Sequence, residues 1–178
     1  MEKRGWEKMI KFRLYYDKDK EEEFLNNMVQ KGYAMTHIFL GVYWFEPWKE
    51  VEYTYKIDIK RDKTVKEFNE YCDLIKETGG ELIQTWGVWA IFRKKGEFEL
   101  YSDNSSKIEQ YKKIQKTFLL LALLEGIIIL PTQIQIYIRN KMSSALYTSI
   151  VIGLFFIIFI IQVYKCSKKI MLLKYNSK

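Results

Sequence analysis

The apolar positions change period along the chain, and each period predicts an element. Over residues 51–59, Val51, Tyr53, Tyr55, Ile57 and Ile59 alternate with Glu52, Thr54, Lys56 and Asp58. A period of two over this length predicts a half-buried antiparallel strand. Residues 11–16 form a shorter strand with Phe12, Leu14 and Tyr16 on one face. Between the two strands the period lengthens. Residues 19–31 place Phe24, Leu25, Met28 and Val29 on one helical stripe. The acidic run Glu21–Glu23 suits the positive end of the helix dipole, and Gly32 supplies the C-terminal turn. Thr64-x-x-Glu67 is a capping box that opens a second helix, with Phe68, Tyr71, Cys72 and Ile75 inward and Gly79 at its end. Residues 34–39 with 42–45, and 82–86 with 88–93, read as tight hairpins around Gly41 and Gly87.

These segments are two copies of one unit. Glu23-Phe24 aligns with Glu67-Phe68 at an offset of 44, and Gly41-Val42-Tyr43 with Gly87-Val88-Trp89 at an offset of 46. Two residues inserted near positions 78–80 reconcile the offsets. The expected fold class is α+β: a duplicated βαββ unit forming a ferredoxin-like antiparallel sheet with helices on one face. The other sheet face is left for water, a ligand or a partner. The expected domain spans residues 1–96, with a linker and juxtamembrane helix over 97–117, where Ser106-x-x-Glu109 reads as a further capping box.

Residues 118–138 and 145–164 are apolar runs, each close to the roughly 20 residues that a helix needs to cross a bilayer. They predict a transmembrane hairpin. Nine lysines flank its open end, counted over Lys107, Lys112, Lys113, Lys116 and the five of residues 165–178, while the loop carries Arg139 and Lys141. That bias predicts a multi-pass protein of the bacterial cell membrane with both termini cytoplasmic. The basic tail, residues 165–178, mixes lysines with Ile170, Met171, Leu172 and Leu173 and is expected to lie on the anionic inner leaflet. Within the first run stand Glu125, Thr132, Gln133 and Gln135. Glu125 lies roughly 10 Å into the span by helical rise. At 100° per residue Thr132 shares its face, with Gln133 and Gln135 about 80° to either side. The stripe reads as a face packed against protein, with a proton- or cation-linked site as the alternative.

Charge and composition then narrow the function. The net charge is +7, but residues 1–116 hold 22 basic and 21 acidic side chains, and residues 117–178 hold 7 and 1. The excess therefore belongs to the membrane flanks, and no nucleic-acid partner is expected. Cys72 and Cys166 are far apart and read as free thiols. His37 is the single histidine, so no histidine-based triad or metal set can form around it. No phosphate loop, dinucleotide fingerprint or nucleophile elbow occurs, and the expectation is no catalytic residue, no metal and no cofactor. Four of the five tryptophans, Trp44, Trp48, Trp86 and Trp89, lie in or beside the hairpins with Tyr43. They read either as an aromatic surface for an apolar ligand or protein partner or as the filling of a small core.

The segments YYDKDKEEEFLNNMVQKGY, GVYWFEPWKEVEYTYKIDI, GGELIQTWGVWAIFRK and ELYSDNSSKIEQYKKI together resemble a bacterial membrane-protein family, domain of unknown function 2812. The resemblance covers about residues 11–114. It implies C-terminal spans, genes often placed beside PadR-type repressors, and a regulated, stress- or drug-linked membrane role. It supplies no catalytic residues. The expected function is a membrane-anchored binding or regulatory module, a sensor or adaptor acting on a protein partner or as a homo-oligomer. The alternative is a subunit or regulator of a transport or resistance assembly.

Overall fold

The computed structural model describes residues 8–14, 17–48, 52–60 and 64–176. The expected strand positions Tyr16 and Val51, and the end of the basic tail at residues 177–178, lie outside these. The chain divides into two compact units, Met1–Leu100 and Tyr101–Lys178.

The first unit contains β1 (Met9–Phe12), α1 (Lys18–Gln30), β2 (Tyr33–Phe39), β3 (Val42–Pro47), β4 (Tyr53–Ile59), α2 (Val65–Glu77), β5 (Gly80–Trp86) and β6 (Trp89–Lys95). The α+β class and the duplicated strand-helix-strand-strand unit are both present. The six strands divide into two three-stranded antiparallel sheets, β1-β3-β2 and β4-β6-β5, rather than one continuous sheet. The repeat runs without any insertion. From α1 to α2, and from β2 to β5, both ends shift by 47 positions. The closing hairpin pairs Phe39–Val42 and Trp86–Trp89 shift by 47 as well. The expected offsets of 44 and 46 were set by residue identity and are corrected by geometry. Phe24 corresponds to Tyr71, and the hairpin glycines sit at different turn positions. Leu40 and Gly41 both have positive φ in the first turn, whereas in the second turn only Gly87 does.

Each helix packs on its own sheet. The Phe24 ring meets Tyr43 and Phe45 edge-on at 5.4 and 5.8 Å, and the Tyr71 ring meets Phe92 at 5.7 Å. We call this helix-bearing side the front of each sheet. Cross-strand pairing puts Ile57, Ile91, Tyr55, Ile59 and Trp89 on the back of the second sheet. That back face does not meet water. Tyr55, Ile57 and Ile91 share one buried core with Phe24, Leu25, Met28 and Val29 of α1 and with Met35, Ile38, Tyr43 and Phe45 of the first sheet. The layers therefore run first sheet, α1, second sheet, α2. A second core under α2 joins Ile75 to Ala90, Phe92 and Phe98, so the expected linker start at residue 97 still carries a core side chain.

The second unit is a helical hairpin. α3 (Asn104–Leu124), a π turn (Glu125–Ile129) and α4 (Leu130–Asn140) form one continuous helix, and α5 (Ser143–Tyr175) returns beside it. Each is long and apolar enough to cross a membrane. The N-cap of α3 is Asp103, whose side chain accepts the Ser106 N–H, so the helix starts one turn before the capping box expected at Ser106. The tail after residue 164 continues α5 as helix with Cys166 and Ile170 buried, and Gln115 Nε2 donates to Ser167 Oγ at 2.6 Å.

Candidate functional site: an uncovered sheet face and a polar turn in the hairpin

Four of the five aromatic residues picked from the sequence are not gathered into one surface, and the fifth is core. Tyr43 points to the front, is 1% exposed, and its hydroxyl donates to Glu21 Oε1 at 2.7 Å. Burial lifts the Glu21 carboxyl to about 7, against the opposing effect of that Tyr43 hydrogen bond. Trp86 and Trp89 are half-buried against the shared core. Trp48 stands over Arg93, whose guanidinium lies 5.0 Å from the Trp48 ring and 4.7 Å from the Tyr53 ring. Arg93 Nε also donates to Glu81 Oε1 at 2.8 Å. This aromatic group is thus already filled by a cation of the chain itself.

Trp44 alone lies on the back of the first sheet, and the residues around it were not singled out from the sequence. Cross-strand pairing gathers Ile10, Phe12, His37, Phe39, Val42 and Trp44 on that face. Ile10, Phe12 and Phe39 are 61%, 66% and 51% exposed. Their counterparts 47 positions on include Ile57 and Ile59, which are 1% and 3% exposed. The same structural positions are closed over in one repeat and open in the other. The His37 and Trp44 rings stand 5.2 Å apart. Beside them is a shallow cavity of about 280 Å³ lined by Lys8, Thr36, His37, Trp44, Phe45 and Glu46, with Lys8 and Glu46 paired at 2.8 Å. A face of this kind excludes water from an apolar partner, and its polar rim fixes orientation. The missed signal was in the sequence: Ile10, Phe12, Val42 and Trp44 can be set against Ile57, Ile59, Trp89 and Ile91 only when the offset of 47 is known.

In the hairpin, the polar residues of the first apolar helix also separate. Glu125, Gly126 and Gln133 are part-buried, whereas Thr132 and Gln135 are exposed. The expectation that Thr132 shares the Glu125 face is corrected by the π turn. The Leu130 N–H bonds the Glu125 carbonyl five residues back, which adds one residue to the turn and rotates everything after it by about 100°. Pro131 follows directly, and its ring would crowd the carbonyl four residues before it in a regular helix. Thr132 turns its hydroxyl onto the Ile128 carbonyl at 2.6 Å. One carboxylate oxygen of Glu125, Oε2, is buried without a hydrogen-bond partner among the described residues. Next to it, a Cβ on Gly126 would stand 2.9 Å from the Phe156 ring, so the glycine permits close approach of α5. Among the described residues no group of three or more His, Cys, Asp or Glu could hold a metal.

The duplicated unit, followed by the start of an apolar hairpin, matches the model of one family, the protein of unknown function DUF2812, over residues 17–123. The chain belongs to this family. The matched region takes in α1 through most of α3 and stops just short of Glu125. No curated protein and no solved structure matches the chain. Family membership thus covers the second sheet and both helices, but neither β1 nor the polar turn of the hairpin.

Proposed function

We propose that the DUF2812 chain is a membrane-anchored, non-catalytic binding or regulatory module at the inner face of a bacterial membrane, acting through a protein partner. The carrying observation is the open back of the first sheet, where Ile10, Phe12 and Phe39 are exposed and His37 and Trp44 line a shallow cavity, while the equivalent Ile57 and Ile59 of the second sheet are buried. The two apolar helices support membrane anchoring. The lysines of α3 and of the last turns of α5 suit an anionic leaflet at the cytoplasmic side. The test is site-specific photo-crosslinking of the full chain in its native membrane. A crosslinker at Phe12 or Trp44 should give a discrete protein adduct, and one at exposed Glu70 of α2 should not. Adducts to lipid alone, or none at either face position, would overturn the reading.

A second reading, a subunit of a transport or resistance assembly, is favoured by one observation: Glu125 sits in a π turn with one buried carboxylate oxygen that has no hydrogen-bond partner among the described residues. Glu125→Gln preserves shape and removes the titrating charge. Loss of a resistance or ion-flux phenotype with unchanged expression and assembly would put this reading first. An unchanged phenotype leaves Glu125 as a packing group.

A further inference from the structure

The two repeats differ in what lies against the backs of their sheets, and that difference specifies a missing element. At the second sheet the covering element is α1, and its contact has two parts. Its side chains satisfy the outer edge of β4: Glu22 Oε1 accepts the Ile57 N–H at 2.8 Å, and Asn26 Oδ1 accepts the Tyr55 N–H at 2.7 Å while its Nδ2 donates to the Tyr55 carbonyl. Between that polar stripe and the Phe24 stripe, at 100° per residue, lie Leu25 and Val29. Both are buried in the core shared with Tyr55, Ile57 and Ile91. The covering helix thus reads Glu22-x-x-Leu25-Asn26-x-x-Val29.

In the first sheet the same receiving surface is not covered by any element among the described residues. The Arg13 N–H bonds the Gly41 carbonyl at 2.8 Å, just as the Lys60 N–H bonds the Val88 carbonyl at 2.8 Å, so β1 and β4 have the same phase against their neighbours. By strand alternation, Lys8, Ile10 and Phe12 turn their backbone groups to the outer edge, as Tyr55, Ile57 and Ile59 do. β1 pairs only with β3 among the described strands. An open edge beside an exposed apolar face is a surface that folded proteins ordinarily cover.

We infer that the back of the first sheet, with the outer edge of β1, docks an amphipathic helix of a partner protein that carries hydrogen-bond acceptors at i and i+4 and aliphatic side chains at i+3 and i+7. This deepens the reading of the chain as a binding module and rests on it. The inference follows from continuity with the α1 interface, which continues the same layered stack one step further. A second copy of this chain fits less well. Its free helix, α2, keeps acceptors at the matching positions, Asn69 and Asp73, but has Cys72 and Lys76 where α1 has Leu25 and Val29. The stack is closed by a polar helix at one end and open at the other.

The probe is the chain's own covering helix, a peptide of residues 17–32 stapled between positions 23 and 27, added to the full chain in nanodiscs. Backbone hydrogen exchange at Ile10 and Phe12 should slow on addition of peptide. A peptide carrying Glu22→Ala and Asn26→Ala should bind at least about tenfold more weakly, a difference of about 1.4 kcal/mol. Phe12→Glu in the chain, at an exposed position that the fold does not need, should abolish the protection, and Glu70→Ala should leave it unchanged. No slowing at Ile10 and Phe12, or slowing that survives Phe12→Glu, would overturn the inference. So would equal protection from anionic vesicles without peptide, or from raising the chain concentration alone. A crosslinked partner in the native membrane combined with no peptide protection would leave the binding module standing and remove only its helical occupant.

Discussion

Glu21 and Gln84 show how single side chains hold the first unit together. Glu21 is part-buried beside Tyr43, with its carboxyl lifted to about 7 by desolvation. The folded chain therefore keeps a proton that the unfolded chain releases near pH 4.5, and stability falls as pH rises from about 4.5 to 7. Glu21→Gln removes this dependence while its carbonyl still accepts the Tyr43 hydroxyl. The variant should match the parent at pH 4 and exceed it at pH 8, by at most about 3 kcal/mol. Tryptophan fluorescence during urea unfolding measures this cleanly, because all five tryptophans lie at or before position 89. Gln84 stands in for a strand partner. Its Oε1 accepts the Ile38 N–H at 2.8 Å and its Nε2 donates to the Ile38 carbonyl at 2.9 Å, joining β2 to β5 across the gap between the sheets. Gln84→Ala leaves both backbone groups unpaired and should destabilise by about 2–3 kcal/mol in the same assay.

Among the elements, the long broken helix carries the most specific consequences. Gln133 is part-buried and Thr132 exposed, so which polar residue of this helix is sheltered depends on one extra residue in one turn. Gly126 is where the close approach is tightest. Gly126→Ala should press on Phe156 and weaken the hairpin by about 1–3 kcal/mol. Gly126→Ala with Phe156→Leu should recover most of that loss, and steric trapping of the hairpin in bilayers would measure the coupling. Additive losses would mean that the two residues do not share the contact. Glu22 and Asn26 of α1 show the same economy in the first unit, since two polar side chains on one helix satisfy the outward backbone groups of Tyr55 and the Ile57 N–H on the free edge of β4.

On the scale of the whole molecule, the two cores described for the first unit draw, among the described residues, on positions between Met9 and Leu100. Residues 1–100 expressed alone should therefore unfold in one cooperative transition, and a molten fragment would show that another part of the chain completes the core. The loop between the apolar helices carries two cationic residues against nine at the open end. A cysteine placed at Asn140, in a background without Cys72 and Cys166, should react with an impermeant reagent from outside the cell, and one at Ser102 should not. The reverse pattern would invert the chain in the membrane.

Period and punctuation in the sequence determined the element types, the duplication and the two long apolar helices. These are local properties: alternation sets a strand, a capping box sets a helix start, and twenty apolar residues set a helix long and apolar enough to cross a membrane. Tertiary structure decided what residue identity had misaligned. Equal spacing of caps, turns and strand ends, not similarity of side chains, fixed the repeat at 47, because packing constrains position more strictly than composition. It also decided which aromatic positions are core and which are open. Tyr43 and Trp44 are neighbours in sequence yet lie on opposite faces of one strand, and only the placement of α1 says which face is covered. The phase of the first apolar helix was likewise beyond the sequence pattern, since it depends on a widened turn just before Pro131 and on the close contact of Gly126 with Phe156 of α5. The open back of the first sheet is visible only when its filled counterpart is seen beside it.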